Sequence, residues 1–70
     1  MKHIANVARK MKAKREEKGY TQAHLAYLAD VHVTTIQNIE NNDNLNPHLN
    51  TLAKVARGLR VSLAEFLAQP

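Results

Sequence analysis

Between Thr21 and Asn42 the segment TQAHLAYLADVHVTTIQNIENN carries two short apolar periodicities separated by three residues, and this spacing constrains the chain more than any other feature. Leu25, Leu28 and Ala29 repeat at helical spacing, and Ala26 is a small residue at which a second helix can approach closely. Asp30, Val31 and His32 follow as extended or turn residues. Ile36 and Ile39 then mark the buried side of a second helix, which leaves Val33, Thr34, Gln37, Asn38 and Asn41 on a continuous outer face. Helices crossing at so short a connection form a helix-turn-helix. The outer face presents amides that can bond the N6 and N7 edge of adenine, and methyl groups that can pack on the thymine methyl.

Seventy residues allow one domain, residues 1–70. A chain this short buries only about 60% of the surface its unfolded form exposes, so the core must be compact and locally connected, a demand that helices meet. Cysteine is absent, which excludes a disulfide framework and a thiolate metal site. The sequence has no apolar run of about 18 residues, and its first turns are too polar for a signal peptide, so a cytoplasmic location without membrane association is expected.

The net charge of +4 is unevenly placed. Residues 1–18 hold seven Lys and Arg against two Glu, residues 19–44 hold three acids and no Lys or Arg, and residues 45–70 hold three Lys and Arg against one Glu. The segment with the base-reading pattern is therefore the acidic one. Because phosphate neutralisation supplies much of a protein's affinity for DNA, the positive field would have to come from the first and fourth helices.

Along the chain, Ile4, Val7, Ala8, Met11 and Arg15 share one face of an amphipathic helix whose other side carries Arg9, Lys10, Lys12, Ala13 and Glu16. Gly19 suits the left-handed position that ends it. Thr21 is a good N-cap for a second helix starting at Gln22. The stretch NNDNLN from Asn41 to Asn46 reads as a loop. Asn46 and Pro47 then read as N-cap and first residue of a fourth helix, with Leu49, Leu52, Ala56 and Leu59 as its buried stripe. Gly58 in the last turn is expected to loosen its end. Ser62 and Glu65 form a capping box and Val61 is placed to staple against Phe66, so a short fifth helix is predicted there.

Taken in order, KAKREEKGYTQ running into LAYLA, then TTIQNIEN, then PHLNTLAKVARGL and VSLAEFL resemble the Cro and phage-repressor family of helix-turn-helix domains, from about Val7 to Leu67. The resemblance implies an all-α, compact, lambda-repressor-like bundle of five helices. It also implies a sequence-specific DNA-binding transcriptional regulator, a Cro-like repressor on a near-palindromic operator, with double-stranded DNA as partner. By position it assigns base readout to Val33, Thr34, Gln37 and Asn38 and a phosphate contact to Gln22. Asn41 and Asn42, at the far end of that helix, are read as phosphate donors, with a plain C-cap role for one of them as the alternative, and His32 as a further DNA-backbone contact. Arg15 and Glu40 fall where family members pair the first helix with the third. The chain departs from the family pattern at Asp30 and Arg60, where glycine is usual, and at His32, where a serine or threonine cap is usual. Asp visits positive φ more readily than most residues, so the turn should survive with some loss of stability.

Other chemistries find little support. His3, His24, His32 and His48 are not spaced i, i+4 with another histidine or a carboxylate on an obviously common face, so surface positions rather than a metal site are expected. Ser62 is the only serine and serves as a cap, and Gly19 and Gly58 are the only glycines, so neither a nucleophilic constellation nor a phosphate loop can be built. No enzyme, cofactor or small-molecule ligand is expected. A second reading, favoured by the lack of Lys and Arg in residues 19–44, is a protein-interaction module such as an antitoxin or adaptor on the same fold. Under the first reading one recognition helix covers too few base pairs to select a site among roughly 10⁶ competitors, so a second copy is needed. Arg60, Val61, Leu63, Phe66 and Leu67 are expected to form a small self-complementary contact, giving a weak homodimer strengthened on DNA.

Overall fold

The computed structural model describes the backbone of residues 2–41 and 48–67 and the side chains of residues 7–41 and 48–66. The chain forms α1 (Lys2–Glu17), α2 (Gln22–Ala29), α3 (Val33–Glu40), α4 (Leu49–Leu59) and α5 (Leu63–Leu67), the all-α five-helix architecture that the apolar spacing implies.

Short-range hydrogen bonds set where the helices stop. At the ends of α1, α2 and α4 a left-handed residue donates to the carbonyl three positions back, and the next residue donates to the carbonyl five back. The pairs are Gly19 to Glu16 with Tyr20 to Arg15, Asp30 to Tyr27 with Val31 to Ala26, and Arg60 to Arg57 with Val61 to Ala56, all at 2.9–3.2 Å. Their φ values are 73° at Gly19, 60° at Asp30 and 61° at Arg60. Tyr20, Val31 and Val61, which follow, are half-buried against the core, the apolar contact that usually completes this motif. The end of α4 thus makes the same two bonds as the others, although Arg60 holds the left-handed position that glycine fills at the end of α1. Helix starts are capped at Thr21, whose Oγ1 accepts from the His24 N–H at 3.0 Å, and at Ser62, whose Oγ accepts from the Glu65 N–H at 3.0 Å. His32 and His48 precede α3 and α4 in extended conformation without a side-chain cap bond.

Met11 of α1, Leu25 of α2, Ile36 and Ile39 of α3, Val55 and Leu59 of α4 are the large side chains sealed in the core. Phe66 of α5 joins them at 2% exposure, which removes it from the contact surface expected of the fifth helix. Other expectations are also corrected. Leu28 lies on the exposed flank of α2, whose buried side is Leu25, Ala26 and Ala29. In α4 the stripe is Leu52, Val55, Ala56 and Leu59, while Leu49 is 59% exposed. The reason is the helix start: His48 is the extended cap residue and Leu49 the first helical one, so the packed length begins one turn later. Asn46 and Pro47, expected to cap and open this helix, lie outside the described residues, as do the side chains of Ile4 and Leu67.

Helices α2 and α4 approach most closely at Gly58. A Cβ placed there would sit 3.1 Å from the Ala29 backbone nitrogen and 3.2 Å from its Cβ. Ala29 and Gly58 thus make a small-residue approach beside Ala26, which is itself buried in the core, and it sets the pose of the helix that leads into the turn.

Candidate nucleic-acid interface

Burial of Ile36 and Ile39 orients α3 and so decides which of its side chains face outward. Val33, Thr34 and Gln37 are exposed, and Asn38 is half-buried on the flank of the same face. His32 is exposed just before the helix, and Asn41 just after it donates its backbone N–H to the Gln37 carbonyl at 2.9 Å. The structure therefore brings the four expected base-reading residues, His32 and Asn41 onto one edge of the molecule. Asn42 lies outside the described residues.

The side of α3 turned inward ends in Glu40, whose carboxylate is 2% exposed and fully engaged. Arg15 donates through Nε to Oε2 at 2.7 Å and through Nη2 to Oε1 at 3.1 Å, and its Nη1 donates to the Tyr20 carbonyl at 2.8 Å. Gln22, the first residue of α2, donates through Nε2 to Glu40 Oε1 at 3.0 Å. This two-pronged ion pair ties α1 to α3 and also pins the turn that enters α2. Hydrogen bonding to Glu40 holds the Arg15 guanidinium charged to still higher pH than usual, against the opposing effect of burial. The Arg15–Glu40 pairing was legible from the sequence. The bond from Gln22 to Glu40 was not, because nothing in a local pattern reports a contact across 18 positions; nor was the bond to the Tyr20 carbonyl, which depends on the direction Glu40 gives the Arg15 side chain.

Charge elsewhere supports the scaffold. Lys14 lies 3.4 Å from Glu17 and 3.9 Å from Glu65, bridging α1 to α5 on the surface. Tyr20 and His24 stack obliquely at the start of α2, with ring centroids 4.8 Å apart. Among the described residues, no helix is long and apolar enough to cross a membrane.

A helix pair joined by a three-residue turn, with its second helix turned polar side out, is the defining geometry of one family, and its sequence profile matches residues 11–66. The chain belongs to the helix-turn-helix family. It is of the Cro and phage-repressor type, a class of DNA-binding regulators. Two solved structures are similar throughout. A point mutant of the restriction-modification controller protein C.Esp1396I superposes with a TM-score of 0.83 at 36% identity, covering 90% of this chain and 80% of that one. The N-terminal DNA binding domain of SinR from Bacillus subtilis gives 0.83 at 35% identity, covering 90% and 91%. No curated protein sequence matches significantly.

Proposed function

We infer that this helix-turn-helix protein is a Cro-like repressor that recognises a near-palindromic operator by laying α3 in the major groove. The observation that carries this reading is the face of α3: Val33, Thr34, Gln37 and Asn38 stand together opposite a core-facing side fixed by Ile36, Ile39 and Glu40. Amides there match the adenine edge, and the methyls of Val33 and Thr34 match thymine. Gln22, His32 and Asn41 flank that face as donors to the DNA backbone, a role the sequence also gives Asn42. SinR, whose matched region is a DNA binding domain, lends support at 35% identity.

Each copy presents one such helix, so pairing on a two-fold site about 34 Å between half-site centres completes recognition. With Phe66 in the core, the described residues left for a self-complementary contact are Arg60, Val61 and Leu63. A patch this small buries well under about 1,200 Å², so the free protein is expected to be monomeric or weakly dimeric and to pair on the operator.

The absence of Lys and Arg from residues 19–44 favours a second reading, a protein-interaction module such as an antitoxin or adaptor. Selection from a random oligonucleotide pool, followed by titration of the winning duplex against salt, separates the two. A repressor yields a symmetric site and a steep fall of affinity with salt; an adaptor enriches no sequence and gives a flat line.

A further inference from the structure

We propose that Glu40 is a positioning residue for DNA binding: from inside the protein it orients the amide of Gln22 so that its remaining N–H faces a phosphate. The proposal rests on the reading of Gln22 as a backbone contact. A free glutamine amide is ambiguous, because it can turn either its donor or its carbonyl oxygen toward an anion, and the carbonyl repels it. At Gln22 the ambiguity is removed by chemistry. An ionised carboxylate only accepts hydrogen bonds, so the group 3.0 Å from Glu40 Oε1 must be the NH₂. One of its hydrogens is spent there, leaving the second to point away from the carboxylate.

Glu40 is suited to this role by how little freedom it has. Its side chain is 2% exposed, and Arg15 holds both of its oxygens, at 2.7 and 3.1 Å. Arg15 also supplies the positive charge that offsets this carboxylate beneath a surface proposed to face phosphates. The same guanidinium bonds the Tyr20 carbonyl, fixing the backbone just before Thr21 and Gln22. One carboxylate thereby sets the separation between the start of α2, which meets the DNA backbone, and α3, which meets the bases. Gln22 sits at the first position of its helix, where an approaching anion is favoured by the aligned backbone dipoles. Preordering one such side chain is worth about 1 kcal/mol, or about five-fold in affinity.

The test measures affinity for a short random-sequence duplex, since a phosphate contact needs no particular operator. Replacing the pair together, Arg15→Met with Glu40→Leu, leaves no buried charge and is expected to keep the fold; Arg15→Met with Glu40→Met is a second background. Gln22→Ala should weaken the wild-type protein about five-fold and each altered background less than about two-fold. In the free protein, NMR relaxation should find the Gln22 amide group ordered in the wild type and mobile once Glu40 is replaced. Equal losses from Gln22→Ala in all backgrounds would leave the phosphate contact standing and overturn the positioning role. No loss in the wild type would remove the contact itself, and the proposal with it. A mobile Gln22 amide in the wild-type protein would also overturn it.

Discussion

At the residue scale, two side chains occupy backbone positions that suit glycine better. Arg60 and Asp30 hold φ near 60° at the ends of α4 and α2, a conformation that costs an L-residue roughly 1–2 kcal/mol. Arg60→Gly should therefore stabilise the protein by about 0.5–1 kcal/mol after the greater unfolded-state freedom of glycine is subtracted, and Asp30→Gly by less, because Asp tolerates the region. Urea unfolding with an unchanged m-value would register both. Gly58 is the reverse case. Alanine there gains about 1 kcal/mol in helix propensity, but its Cβ would meet the backbone nitrogen of Ala29 at 3.1 Å, a neighbour that cannot rotate away. Overpacking costs about 1–3 kcal/mol, so Gly58→Ala should destabilise by about 1 kcal/mol; an increase in melting temperature would contradict the close approach.

At the scale of elements, the Arg15–Glu40 pair decides how α1 and α3 sit against each other. Glu40→Ala leaves a part-buried guanidinium with only the Tyr20 carbonyl and a more distant Glu16, and should cost about 1–3 kcal/mol. Glu65→Ala removes a surface bridge to Lys14 and should cost under about 1 kcal/mol. Because the folded-state shift on Arg15 is upward, its contribution is complete below the unfolded value and lost only as pH rises through the folded one, far above neutrality. That shift should add no slope to a stability profile measured from about pH 5 to 8, the range in which an ordinary histidine changes charge. On the recognition helix, Asn38→Ala should cost about 1–3 kcal/mol on the selected operator and relax preference at one base pair. Unchanged affinity and preference would remove Asn38 from base readout.

For the whole molecule, the core and the edge proposed to face DNA are assembled by different logic. The core joins all five helices, yet the edge uses only the start of α2 and the outer side of α3, in the stretch without Lys or Arg. Positive charge must then reach the DNA from α1 and α4, so the salt dependence of binding should respond to neutralising exposed cations such as Lys12 and Arg57 rather than to changes within residues 19–44. The small contact proposed at α5 leads to a stoichiometric expectation. Sedimentation should give a monomer or weak dimer alone and two copies on a full palindrome; a saturated complex with one copy would exclude two-fold pairing.

Much of this molecule was written locally. Gly19, Thr21 and the Ser62–Glu65 box act within a few residues of themselves, and the outer face of α3 follows from where Ile36 and Ile39 fall in a 3.6-residue repeat. What needed the tertiary structure were contacts between distant positions and the limits of the packed surface. Leu49 and Leu28 match an apolar period but lie where no neighbouring helix covers them, whereas Phe66 finds a place in the core. Periodicity fixes direction around a helix axis, not how far along that axis a partner extends. The bond from Gln22 to Glu40 and the approach of Gly58 to Ala29 depend on the crossing of whole helices, so they appear only once the helices are packed.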